Sequence, residues 1–212
     1  MKNIIFDFDG VIIDSMHIRT FGFQEIFKEF NKSDVEKIVN YHKENGGISR
    51  FAKIKYFFNT ILNKFISEDE ILKYADKYSI IMKDNLTSPD IIINETVKFI
   101  KNNYQKYNMH IASGSEQNEL QFLNKTLELD KYFLTIYGSP TPKINLVKNI
   151  LKENNYNENE TILIGDSIND YDASHINNIT FLGYNNVNLK KVSHYYINNF
   201  KDFQKEYKEL KC

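Results

Sequence analysis

The chain has a single cysteine, Cys212, at its last position. An internal disulfide is excluded, the residue reads as an inert tail, and a reducing compartment fits, so the expected location is the cytoplasm. Charge of one sign is also missing: 27 bases and 28 acids are interspersed to a formal net of -1, leaving no basic face for a nucleic acid or an anionic membrane. No segment approaches the roughly 18 uninterrupted apolar residues of a membrane span, and the first residues include an acid too early for a leader segment. Neither an internal repeat nor a low-complexity linker appears. What is present is 42% hydrophobic and 14% aromatic content in 212 residues, enough for a full core in one domain, or in one domain carrying an insertion.

Short apolar runs of strand length recur as NIIF before Asp7, MHIAS at 109–113, FLTIYG at 133–138, TILIG at 161–165, ITFLG at 179–183 and HYYI at 194–197. Between them lie helical patterns: Val97, Ile100 and Tyr104, then Leu120, Leu123 and Leu127, then Ile144, Val147 and Leu151. Strand alternating with helix predicts an α/β fold, a doubly wound parallel sheet whose ligands sit at the carboxyl ends of the strands. Residues 15–85 break the alternation. They hold no strand pattern, and Ser33 with Glu36 and Ser67 with Glu70 each match a capping box, so about four helices are expected there. The expected organisation is a catalytic core of residues 1–14 and 86–212, with 15–85 as a small helical cap over the strand ends.

The acids at the strand ends call for an explanation. In FDFDG, Asp7 and Asp9 lie one position apart at the end of the first apolar run, and a strand over residues 4–8 would turn both carboxylates to one side. In ILIGDSIND, Asp166 ends another run, and Asp170 follows one helical turn later on the same face. An acid in a first helical turn is ordinary for Asp170 alone, but carboxylates that end buried strands need partners. Each like-charge pair at about 4 Å costs on the order of 4 kcal/mol at an effective dielectric of about 20. A divalent cation removes that cost, and few carboxylates with room for water and phosphate suit Mg²⁺ better than a caged Ca²⁺. Two features fit a phosphate ligand. The MHIAS run ends in Ser113, followed by Gly114 at a predicted helix start, offering a hydroxyl and free N–H groups; YGSPTPK delivers Lys143 as a positioned cation. Singly, these would read as a helix cap and a solvated lysine.

These residues resemble the haloacid dehalogenase superfamily, whose signature elements run in the same order: DFDGVIIDS, the serine of IASGS, Lys143, and GDSIND. The resemblance implies Asp7 as the nucleophile that forms an aspartyl-phosphate, and Asp9 as the group that protonates the leaving oxygen and later activates water. It also implies Mg²⁺ on Asp7, the backbone carbonyl of Asp9 and Asp166, with Asp170 supporting. Ser113, Gly114 and Lys143 would hold the phosphoryl group, and Asp14 would be a hinge residue outside the chemistry. The family's dehalogenases work without a metal and lack the acid found here as Asp9. Its sugar phosphate mutases carry a histidine in the first cap segment where Arg19 stands, two positions from His17. The expected activity is therefore a phosphatase acting on a small phosphorylated metabolite, with a phosphomutase, or a non-catalytic binder of phosphorylated ligands, as alternatives.

In the cap loop HKENGGISRF, Gly46 and Gly47 break the helical pattern and could let backbone approach a ligand, and Arg50 could clamp a carboxylate or second phosphate. The competing reading is a plain helix connection with a solvated arginine. His42, Arg19 and Lys53 are weaker candidates, and His110, His175 and His194 are expected to be structural.

Overall fold

A computed structural model describes residues 2–203, so Cys212 lies outside the described residues. Six strands form one sheet: β1 (Asn3–Phe6), β2 (Asn108–Glu116), β3 (Thr135–Ser139), β4 (Thr161–Gly165), β5 (Thr180–Tyr184) and β6 (Tyr195–Ile197). All pairings are parallel, in the order β3-β2-β1-β4-β5-β6. Parallel strands bury both faces, which is why the runs are continuously apolar. Ile4, Phe6, Ile162 and Ile164 join the larger apolar cluster on one face, while Ile5 and Leu163 between them join Leu146, Val147, Ile150 and Ala173 on the other. That second face is covered by α7 (Lys143–Glu153) and α8 (Ile168–Ile176), the first by α5 (Asn94–Asn103) and α6 (Gln117–Thr126). Strand order reverses at β1, since β2 lies on one side and β4 on the other. A crevice therefore opens beyond the ends of β1 and β4, where Asp7 and Asp166 stand.

Residues 16–85 form α1 (Met16–Ile26), α2 (Lys32–Glu44), α3 (Arg50–Tyr56), a π-helical turn over Phe57–Ile61, and α4 (Glu68–Asn85). Their interior is aromatic: Phe27 stacks on Phe57 at 3.9 Å between ring centroids, with Phe30, Phe58 and Tyr74 around them. The Ser67 and Glu70 capping box opens α4, with Glu70 N donating to Ser67 Oγ and Ser67 N to Glu70 Oε2. The expected box at Ser33 is not there. Asn31 takes the N-cap position, its carbonyl accepting from Asp34 N at 2.9 Å, and Ser33 falls inside the first turn.

Candidate active site

Asp7 is the first residue past β1, and its N–H still donates to Ile164 O at 2.9 Å, which fixes the carboxyl at the crevice. The chain then turns. Ile12 N donates to Phe8 O, and Gly10 takes φ +77°, with the Asp166 carboxylate packed where any Cβ would stand. Asp9 is thus on a turn and not on a strand, and the expected convergence of four carboxylates becomes three. Oxygens of Asp7, Asp166 and Asp170 lie within 4.8 Å of one another. Asp170 is held by the start of α8, accepting from Ser167 N at 3.0 Å and Ser167 Oγ at 2.6 Å.

Lys143, the first residue of α7, is the cation of this cluster: Nζ is 2.8 Å from Asp7 Oδ1 and also pairs with Asp170 Oδ1. Burial acts to lower the lysine, but Asp170 and Asp7 outweigh it and raise it above its ordinary value. One ammonium does not balance three clustered acids. Burial, then Asp170, pushes Asp7 up to about 7, and burial with Asp7 and Asp170 pushes Asp166 well up. Three hard oxygen donors in deficit of positive charge fit a divalent cation such as Mg²⁺.

Asp9 faces away from that cluster. Its Oδ1 accepts from Ser15 Oγ at 2.5 Å and Arg19 Nε at 2.9 Å, and its Oδ2 accepts from Ser115 Oγ at 2.6 Å. The Ser15 hydroxyl makes this contact instead of a side-chain cap on α1. Burial would raise Asp9, yet Arg19 and the hydroxyl donors bring it below the usual carboxylate range. Arg19 continues to Ser115 Oγ at 2.8 Å and to Glu119 Oε1 at 2.5 Å, and Glu119 Oε2 lies 2.7 Å from Arg50 Nη1. Arg50 also donates to Ser79 Oγ at 2.7 Å and stacks over the Tyr78 ring at 4.6 Å. Arg50 is therefore neither solvated nor free beside the glycines; it is buried and bound to an acid. Glu119 escaped the sequence reading, because an acid in the first turn of a helix looks like an ordinary response to the helix dipole.

Ser113 is buried, and its Oγ accepts from Ser115 N at 3.1 Å. No helix begins there: β2 runs on to Glu116, whose carboxylate caps α6 by accepting from Asn118 N and Glu119 N. The pairing of β2 with β3 is irregular between Ala112 and Glu116, which takes Ser113 and Gly114 out of an even ladder. Gly114 meets the cap loop backbone to backbone. A Cβ on it would stand 2.5 Å from the Gly47 carbonyl oxygen, and one on Gly47 would stand 2.8 Å from Asn169 Cβ. Gly46 has no such restriction, its nearest neighbour to a Cβ being Met16 Cε at 3.8 Å.

The resulting cleft is lined by Asp7, Asp9, Asp166 and Ser113 from β1, β2, β4 and the turns that follow them, and by Arg19, His42 and Lys53 from α1, α2 and α3. About 40 Å³ of it is open to the centre of a water molecule, room for a few waters. His17, His175 and His194 are exposed, while His110 is buried between Thr135 Oγ1 and Tyr156 OH. Asp14 is exposed, and its N–H donates to Ile91 O.

No curated protein matches the chain significantly. Several solved structures share its fold. A β-phosphoglucomutase from Clostridium difficile is 19% identical with a TM-score of 0.78, covering 99% of this chain and 98% of its own. A predicted phosphatase from Clostridium acetobutylicum is 17% identical with a TM-score of 0.78, covering 99% of both chains. A predicted phosphoglycolate phosphatase from Haemophilus somnus is 16% identical with a TM-score of 0.72, covering 97% of both. No helix among the described residues is long and apolar enough to cross a membrane. The order of the acidic motifs in the sequence thus recurs as one crevice in space, and residues 4–184 match the family model for haloacid dehalogenase-like hydrolases, the family to which this chain belongs.

Proposed function

We propose that the protein is a Mg²⁺-dependent phosphatase of a small phosphorylated metabolite, a sugar phosphate or a phosphorylated acid. Residues 15–85 act as a cap domain over a core of 1–14 and 86–212. The observation that carries the reading is the separation of the two acids of FDFDG. Asp7 lies with Asp166, Asp170 and Lys143, while Asp9 is turned to hydroxyls and Arg19. A mere binder of phosphate has no need of that second, differently tuned carboxylate.

Asp7 Oδ attacks phosphorus, the bond to the leaving oxygen breaks, and that oxygen takes a proton from Asp9. Asp9 then accepts a proton from water as the water oxygen attacks phosphorus and the bond to Asp7 breaks, releasing phosphate and restoring the acid. Paired with Arg19, Asp9 is the carboxylate that this second step needs. Protonation for the first step is favoured when Arg19 withdraws, so movement of α1 tunes the group between its two tasks. Lys143, Ser113 and the N–H of Gly114 hold the phosphoryl oxygens. Mg²⁺, held by Asp7, Asp166 and the Asp9 carbonyl with support from Asp170, would offset the carboxylate and phosphate charges.

The likeness to a β-phosphoglucomutase keeps a phosphomutase as a second reading. Arg19 favours hydrolysis, because it holds Asp9 in the form that activates water. The test is phosphate release from a panel of phosphorylated metabolites, with and without Mg²⁺, by wild type and Asp7→Asn. Release that needs Mg²⁺ and vanishes in a folded Asp7→Asn protein is expected. Turnover by that variant, or isomerised sugar phosphate forming faster than free phosphate, would overturn the reading.

A further inference from the structure

The cleft holds two groups that the mechanism above does not use. His42 and Lys53 are 3% and 2% exposed, on α2 and α3 respectively, and both line the cleft. Lys53 Nζ lies 3.0 Å from His42 Nδ1 and 3.4 Å from the Gly46 carbonyl oxygen. An ammonium only donates, so Nδ1 is the acceptor and the neutral ring carries its proton on Nε2. That Nε2 has no hydrogen-bond partner. Burial, then the charge of Lys53, pushes His42 down to about 3, which keeps the ring neutral and its Nε2 a donor.

The charges around the pair are uneven. Arg19 is matched by Asp9 and Glu119, and Arg50 by Glu119. Among the described residues no acid lies within ion-pair distance of Lys53, although two of its three ammonium protons are already placed on neutral acceptors. A buried cation without a counter-ion and a buried donor without an acceptor are each costly. Both are relieved by one ligand group, an anion with oxygen acceptors.

We infer that Lys53 and His42 form a subsite for an anionic group on the leaving part of the substrate, a carboxylate or second phosphate a few bonds from the phosphate that is transferred. The inference deepens the phosphatase reading and rests on it for the other end of the ligand. Lys53 donates its third proton to one oxygen and His42 Nε2 to the other, while Arg50 positions this part of the cleft through Glu119, Ser79 and Tyr78. Burial with Arg19, Arg50 and Lys143 pushes Lys53 down to about 7 against the pull of Asp9, and a bound anion would pull it back up.

Calorimetric binding to the Asp7→Asn protein in Mg²⁺, where turnover is blocked, tests the subsite with three probes: phosphoglycolate, ethylene glycol bisphosphate and the uncharged-tail analogue propyl phosphate. At least one anionic-tail probe should bind about 10- to 100-fold more tightly than propyl phosphate, the range for hydrogen bonds to charged groups. Whichever binds better identifies the tail as carboxylate or phosphate. Adding Lys53→Met should abolish the preference without changing propyl phosphate affinity, and His42→Asn should reduce it, with melting curves confirming that both variants fold. Equal affinity for all three probes, or a preference that survives Lys53→Met, would overturn the subsite. Failure of the phosphatase reading looks different: wild type would release phosphate from no probe while the binding contrast persisted.

Discussion

Without a cation the acidic cluster should make the protein less stable as pH rises, and Asp7 sets the size of the effect. Folded, Asp7 keeps its proton to about 7; unfolded, it loses it near 3.8. Between those values the fold binds more protons than the unfolded chain. Its contribution is therefore fully present at low pH and is lost as pH rises through 7. The difference corresponds to about 4 kcal/mol in total, of which about 3 kcal/mol falls between pH 5 and pH 8. His42 and His110, both held low by burial, act in the opposite direction over part of that range, so the wild-type trend alone is uninformative. The decisive quantity is the difference between wild type and Asp7→Asn in urea unfolding with EDTA. Relative to wild type, Asp7→Asn should gain about 3 kcal/mol on going from pH 5 to pH 8, and more if Asp166 ionises in its place. Saturating Mg²⁺ should remove the wild-type penalty, because the cation takes both groups as carboxylates. Parallel pH trends for the two proteins in EDTA would refute the account of the cluster.

Removing the guanidinium in Arg19→Met should let Asp9 rise toward the ordinary carboxylate value, so the acid limb of the kcat profile, which includes the step in which Asp9 accepts a proton from water, should move to higher pH; an unmoved limb would show that Asp9 is not the titrating group. Gly114→Ala places a Cβ 2.5 Å from the Gly47 carbonyl oxygen and should prop the cleft open. A displacement of about 1 Å can cost about 100-fold in rate, so kcat/KM should fall by that order in a protein whose melting curve remains cooperative.

Much of this was legible in the sequence, for reasons that differ by residue. NIIF and TILIG match β1 and β4 residue for residue, because a strand buried on both faces leaves an unbroken apolar run. MHIAS stops short of the end of the observed β2, since Gly114, Ser115 and Glu116 continue the strand without apolar side chains. FLTIYG begins too early for the opposite reason: Leu134 is apolar but 62% exposed before β3. Among the site acids, Asp7, Asp166 and Asp170 come together as their spacing implied. Asp9 does not, because the turn at Gly10 is a backbone event that strand periodicity does not register. Arg19 looked like the absence of a histidine, and its contact with Asp9 appears only in three dimensions. The pairing of Glu119 with Arg19 and Arg50 spans distant parts of the chain, and no local pattern announces it.

That pairing bears on how the chain can fold. The carboxylate of Glu119 belongs to α6, while both guanidiniums it meets belong to the helical insertion. In the assembled fold each side is buried with the other, so removing Glu119 would leave two buried guanidiniums short of an acid, a cost of several kcal/mol. The insertion acquires its final packing only when the core, most of which is synthesised after it, arrives to complete it, a long-range closure of the kind that slows folding and makes it cooperative.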